Sequence, residues 1–492
     1  MIALKRTAAG IVEPRRVRPV AGEYDVIVVG GGMAGVGAGI AAARAGCRTL
    51  IIERESALGG LATVGLVNIP LDTVSGIGTQ MFAQLEAMQA LWHRHSDPEK
   101  HKLVLDRMVK AAGADVLLVT HVVEALLDRG RIAGVVVESK SGRQALLARR
   151  VVDASGDGDV GYFAGCPCAS GRASDGINQA CSLEFRLGGV DWDAYRASDL
   201  QQHDYQWRAA IKQALADGTL PYEVDNHLNW ITHVPGRPEH AGMDEVSICF
   251  AHSRHCRPLD NRDLTRMYQE GREQAQFLWQ FIRQRIPGFA RSWLIDTAPL
   301  LGVRESRRVI GEYVMTGRDV ASHAKFDDVV ATSIHGFDIH HPTGPGNVKW
   351  AELALGGQRR CVIAGPAGTR SSTMPPGGLE RLCDIAGRTG AAMQFPSPPA
   401  YDIPYRAIVP LGVDDLLVAG RCLSADFEAQ SGTRLIMFCL TIGEAAGTAA
   451  ALSLQRGVTP RALDRGALQR TLIANGVDLG QARRAIPGVT AS

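Results

Sequence analysis

The chain is 492 residues long, 46% hydrophobic and 21% charged, with a formal net charge of +2. That is the makeup of an ordinary globular protein with room for two or three core-sized units. The near-neutral balance carries no electrostatic signature of a nucleic-acid or membrane partner, and ten scattered cysteines without a CxxC pair suit reduced thiols in a cytoplasmic protein.

Residues 1–22 read as an irregular leader. The basic run Arg15-Arg16-Val17-Arg18 is followed by no apolar stretch, so a secretory signal is not expected. From 23 to 165 strand-like and helix-like patterns alternate, which predicts a mainly parallel α/β sheet. The most informative stretch comes first. A β-branched run, Val26 to Val29, leads into Gly30-x-Gly32-x-x-Gly35, a small-residue helix over Ala38 to Ala45, and a second strand, Thr49 to Ile52, ending on Glu53. In a dinucleotide-binding βαβ unit Gly30 makes the tight turn, Gly32 lets backbone approach a pyrophosphate, and Gly35 lets the helix pack on the strand. The helix N-terminus supplies N–H groups and partial positive charge for phosphates. Glu53 is placed to accept hydrogen bonds from a ribose.

Arg54 and the pair Gly59-Gly60 follow, a spot where backbone passes close to an extended cofactor or simply makes a turn. Lys100 to Gly113 has helical spacing and a glycine stop. Strand-like runs then cover Asp115 to Thr120, His121 to Leu127, Ile132 to Glu138 and Ala145 to Asp153. The last breaks into Ala154-Ser-Gly-Asp-Gly-Asp159. Gly156 there suits a close approach and an acid suits a ribose, although Asp157 and Asp159 also fit plain Asx turns or a cation site. Cys166-Pro-Cys168 is spaced too tightly for a redox CxxC.

Regular alternation stops near Gly165, and 166–402 reads as an inserted α+β substrate domain, with 342–400 a Gly-, Pro- and Arg-rich, loop-like insertion. Within it, His252, His255 and Cys256 lack a fourth ligand, so no metal is expected. Arg304, Arg307 and Arg308 offer bidentate donors for a substrate carboxylate or a cofactor; Arg308 and Glu312 also suit a salt bridge. His340 and His341 are the general-base candidates, with His340 favoured and Tyr405 a weaker general acid. Val362 to Gly368 reads as a loop, not a second nucleotide site. The α/β pattern returns at 403–465, where the strand Asp415 to Arg421 ends in Gly420. Gly432 then leads into a buried helix, Leu435 to Ala450, whose N-terminus and Arg434 are suited to stabilise negative charge. Residues 466–492 read as a helical tail.

With these segments in view, the chain resembles the FAD-dependent oxidoreductase family of the glutathione-reductase-type flavoprotein superfamily. The resemblance is carried by EYDVIVVGGGMAGVGAGIAAARAG, IERESALGGLATVGLV, VVDASGDGDVGYFAGCP, RESRRVIGEYVMT, FDIHHP and DLLVAGRCLSADFEAQSGTRLIMFCLTIGEAAGTAAA, in the family's order. It implies an α/β fold with a three-layer Rossmann-like FAD-binding domain (23–165 plus 403–465), the inserted domain between, and noncovalent FAD. It carries cofactor contact onto Gly30, Gly32, Gly35, Glu53, Gly60, Gly156, Asp157, Gly420 and Arg421. Met33, Ala34, Arg54, Leu61, Val123, Gly432 and Thr433 are expected beside them. The long stretch after His341 departs from relatives, which run quickly to the IPYR segment.

The expected activity is dehydrogenation, with hydride passing from a small organic substrate to flavin N5 and electrons on to an external acceptor that the sequence does not name. His340, Arg304 and Arg434 are the expected catalytic residues. A flavin monooxygenase and a flavin-binding electron carrier are the alternatives; the sequence assigns no oligomeric state. A disulfide reductase does not fit, because LATVGLVN after Gly60 lacks a cysteine pair.

Overall fold

In the computed structural model, residues 17–71, 74–204, 206–220, 224, 227–235, 243–344 and 400–480 are described in full, with backbone alone for short strands within 6–11 and 347–373. The central sheet has the strand order Asp115–Leu117, Thr49–Ile52, Val20–Val29, Gly142–Asp153, with Leu416–Val418 on the far side of the last. These five strands are parallel, in register Val26 with Thr49, Val151 with Ile27, and Val151 with Leu416. The expected parallel sheet is therefore present, with one addition. The first half of Gly142–Asp153 pairs on its other edge in an antiparallel ladder with Arg131–Ser139, which pairs in turn with His121–Asp128. Short hairpin connections leave no room for the crossover helices that parallel pairing needs.

Val26, Ile27 and Val28 are fully buried, as a strand covered on both faces must be. Two helices cover one face, Met33–Arg44 and Ile436–Gln455, the second beginning one residue later and running five further than the spacing predicts. They cross at backbone contact. A Cβ on Gly443 would lie 1.9 Å from the Ala34 carbonyl oxygen, and one on Gly447 2.1 Å from that of Ala38. The run of small residues is thus a packing requirement for two helices buried on nearly all sides. Ile436–Gln455 is the one helix among the described residues long and apolar enough to cross a membrane, and most of it is buried inside the fold.

A second core lies under a four-stranded antiparallel sheet ordered Trp230–His233, Asp244–Cys249, Phe185–Val190, Trp293–Thr297. The Asn261–Arg285 helix, capped by the Asp260 carboxylate, packs Leu278, Phe281 and Ile282 into it. Not all of 166–402 belongs to this core. Val309, Val329 to Ala331, Phe337, Tyr401 and Ile403 join the first core, where Val329–Ser333 pairs with Tyr401–Pro404 beside the late helix. The stretch expected to be loop-rich includes an antiparallel backbone ladder of Ala351–Leu355, Gln358–Gly365 and Gly368–Thr373. VIAGPAG therefore falls at a hairpin; 374–399 and 481–492 lie outside the described residues.

Candidate functional site

A cleft of about 1170 Å3, its open mouth included, runs along the C-terminal ends of the parallel strands, the position where open α/β sheets bind ligands. Gly30, Gly32, Met33, Ala34, Glu53, Arg54, Gly60, Leu61, Gly156, Gly420, Arg421 and Arg434 all line it. The glycines differ in what surrounds them. A Cβ on Gly30 (φ +98°) would meet the Ala154 carbonyl oxygen at 2.3 Å, and one on Gly35 would lie 1.7 Å from the Gly30 carbonyl oxygen. A Cβ on Gly32 would meet nothing within 4 Å. Two of the three glycines are thus closed by the protein itself and the middle one faces open space, which is the division of labour a bound pyrophosphate requires. Gly59 donates to the Gly31 carbonyl at 2.8 Å and pins the second glycine turn against the first.

Glu53, 6% exposed, closes the next part of the cleft. Its carboxylate accepts the Gly31 N–H at 2.5 Å and the Glu55 N–H at 2.8 Å, so its orientation is fixed from both oxygens. Burial, outweighing those bonds, pushes its pKa up. Across the cleft Asp157 is not in the lining. Its carboxylate takes Arg421 at 2.8 Å and the Ser306 hydroxyl at 2.7 Å, with Arg54 at 3.5 Å. It thereby aims two lining arginines, while Asp159 lines the cleft and pairs with Arg307 at 2.8 Å. Val122 lines the cleft and Val123 does not, because successive strand side chains point to opposite faces. Gly35 lies beneath the turn. Gly432 ends a separate helix, Phe427–Gly432, that Asp426 caps, and Thr433 follows it; both sit behind the lining. Arg434 therefore precedes the late helix and is not in its first turn. The N-cap Leu435 offers that helix no side-chain acceptor.

Arg434 leads from the cleft into a buried polar seam. Its guanidinium donates to the Asp338 carbonyl at 2.9 Å and lies 3.3 Å from the Asp338 carboxylate; burial lowers its pKa to about 10. His340 Nε2 lies 3.7 Å from the Asp338 carboxylate, and with Arg434 it holds that carboxyl well below the usual range. His340 is 5% exposed, and burial and Arg304 keep its pKa well below 6.5. Its ring stacks on His252 with centroids 5.5 Å apart. His252 Nε2 faces Asn229 Nδ2 at 2.7 Å and an Arg304 N–H at 3.3 Å. Both neighbours are donors, so Nε2 is the acceptor and the proton sits on Nδ1, beside the Phe250 carbonyl. Arg304 also donates to the Ala180 carbonyl at 2.8 Å and to Cys249 Sγ at 3.6 Å. Two buried glutamines brace the seam. Gln179 donates to Gln430 and accepts from the His340 N–H, and Gln430 donates to the Arg304 carbonyl.

The other sequence candidates lie elsewhere. Arg308 pairs with Glu305, not Glu312, which pairs with Arg461. Tyr405 is buried with its hydroxyl on the Pro460 carbonyl. In HSRHC, Cys256 donates to the Ser253 carbonyl while His252 serves the seam. Sequence reading missed His252 as a partner of Arg304, together with Asp338, Glu184 and the two glutamines; the FDIHHP segment holds the one local hint, Asp338 two residues before His340.

The model of a family described as FAD dependent oxidoreductase matches residues 25–472. The chain is 33% identical over 208 residues to digeranylgeranylglycerophospholipid reductase 2 of Methanopyrus kandleri, covering 35% of this chain and 51% of the relative. It is 32% identical over 147 residues to thiamine thiazole synthase of Methanococcus aeolicus, covering 27% of this chain and 55% of the relative. A geranylgeranyl bacteriochlorophyll reductase-like structure from Thermoplasma acidophilum aligns with a TM-score of 0.42 at 14% identity, over 94% of this chain and 84% of that one. The chain spans about half the length of the curated relatives it matches.

Proposed function

Since the chain belongs to the FAD dependent oxidoreductase family, we propose that this FAD-dependent enzyme acts as a dehydrogenase of a small organic substrate, with His340 as the base. The cleft residues Gly30, Gly32, Glu53, Gly60, Gly156, Gly420 and Arg421 are the proposed hold on the cofactor. Bound FAD supplies a two-electron acceptor that takes hydride at its N5. The open space at Gly32, between two glycines closed by backbone, fits a cofactor of this kind.

The observation that carries the reading is the chain Arg434–Asp338–His340, which joins the cleft to a buried neutral imidazole. The Asp338 carboxylate, 3.7 Å from Nε2, favours the tautomer with its proton on Nε2, so that Nδ1 would be the basic nitrogen. A base kept neutral by burial is in its unprotonated form across the neutral range. Arg434 and the uncapped N-terminus of the late helix would supply positive charge to a reduced flavin held at this end of the cleft. The parallel sheet, the paired glycine turns and the late helix also support a relation to the glutathione-reductase-type superfamily.

The test is the anaerobic half-reaction. Bleaching of the flavin band by a metabolite pool without NAD(P)H supports dehydrogenation. A strict need for NAD(P)H and oxygen would move the reading to a monooxygenase, and no bleaching by any pool would move it to an electron carrier.

A further inference from the structure

The seam carries an imbalance of charge. Arg434 is paired with Asp338. Arg304, 8% exposed, has only neutral acceptors among the described residues: the Ala180 carbonyl, Cys249 Sγ and His252 Nε2. Glu184 is the carboxyl nearest in kind, but it forms no ion pair with Arg304, and burial pushes its pKa up to about 8, so it is neutral at pH 7. A buried guanidinium without an anion is costly unless a ligand supplies one. Two acceptors point the other way. Asn229 Oδ1 and Glu184 Oε2 are buried with no hydrogen-bond partner. Val303, next to Arg304, and Arg434 both line the cleft, so the seam adjoins the place where the substrate must meet FAD.

Resting on the dehydrogenase reading, we propose that the substrate is a small 2-hydroxy carboxylate, its carboxylate held by Arg304 and its hydroxyl donating to His340. Arginine matches a carboxylate through paired N–H donors. A hydroxyl is favoured over an amine, because an ammonium would sit beside two guanidinium groups with one ionised carboxylate between them. Oxidation breaks the C2–H bond, whose electron pair leaves as hydride to FAD, and the O–H bond, whose proton goes to His340. The C2=O bond forms, and the product is a 2-oxo acid. Oxidised FAD is the oxidant for this single turnover.

The decisive experiment uses 2-hydroxyisobutyrate, which has the carboxylate and hydroxyl but no hydrogen on C2, and therefore binds without reacting. Titrated into the FAD-loaded protein, it is expected to perturb the flavin absorbance saturably. Its neutral amide and 2-aminoisobutyrate should bind at least about tenfold more weakly, the scale of one charge-assisted contact. Arg304→Gln should remove the preference for acid over amide, and Arg304→Lys should restore part of it. Equal affinity for acid and amide in the unaltered protein, or no binding of either with FAD in place, would overturn the substrate class while leaving the flavoenzyme reading intact. Tighter binding of the amine would overturn the choice of hydroxyl. Protein that takes up no FAD would instead remove the reading beneath it.

Discussion

Glu184 gives the most direct physical test of the seam. Its carboxyl is 2% exposed, and burial raises its pKa from 4.5 to about 8 against the opposing effects of Cys249 and Arg304. The folded protein holds this proton up to about pH 8, whereas the unfolded chain releases it above about 4.5. Between those values each pH unit costs the folded state about 1.4 kcal/mol. The penalty is about 2 kcal/mol at pH 6 and about 4 kcal/mol at pH 8, after which it levels off. Glutamine has nearly the same shape and no proton to lose, so Glu184→Gln should be free of this slope. At about 2.1 cal/mol/K of unfolding entropy per residue, the gap in melting temperature between variant and parent should widen by about 2 °C from pH 6 to pH 8. Calorimetry of both proteins at matched ionic strength measures it. The constant part of the gap reports the swapped hydrogen bond and decides nothing. A gap that does not change with pH would mean that Glu184 is already ionised, and Arg304 would then have its anion within the protein.

Further outcomes follow from the cleft. Gly32→Ala should fold normally yet lose FAD at least about tenfold, because its methyl enters open space; Gly35→Ala, driven into the Gly30 carbonyl, should destabilise by about 3 kcal/mol or more. Flavin-to-protein absorbance ratios and apoprotein melting separate the two. Glu53→Gln puts an amide N–H against the Gly31 or Glu55 N–H and should weaken FAD binding about tenfold without changing the rate of reduction at saturating FAD. His340→Gln should keep FAD but slow its reduction about 10²–10⁴-fold. In the parent that rate should be flat from pH 6 to 8, since the imidazole is held neutral well below pH 6.5; stopped-flow absorbance at several pH values checks both, and a rate that climbs through pH 6.5 would contradict the burial argument.

What the sequence reveals and what it hides follow from the range of the contacts. The Gly30–Gly35 turn, the strands beside it and the glycine-rich late helix are legible because each demand is met by neighbours in sequence or by an evident small-residue pattern. Sequence reading fails where pairing depends on backbone form. Arg308 and Glu312 would face each other on a helix, but Arg307–Val309 is a strand, and a spacing of four then gives no shared turn. Asp157 shows a subtler limit. Its glycine-flanked segment lies at the cleft, yet which acid enters and which one turns back to hold Arg421 depends on Ser306, 149 residues away.

The seam is the least legible part, and its construction explains why. His340, Arg304 and Gln430 come from three distant segments, and no periodicity marks them. They are fixed by the amides of Gln179 and Gln430, which bond to each other and satisfy the His340 N–H and the Arg304 carbonyl. Such bracing has a purpose only if the groups it holds must not move, because a buried polar network that is partly satisfied is less stable than an apolar one. Apolar residues would join the two cores at lower cost. A network that keeps one guanidinium without an anion, one carboxylic acid protonated and one imidazole neutral is best explained by a ligand that completes it. The acid–amide comparison at Arg304 and the pH slope at Glu184 test that same explanation from opposite sides, one by supplying the missing anion and the other by asking whether the protein already holds it.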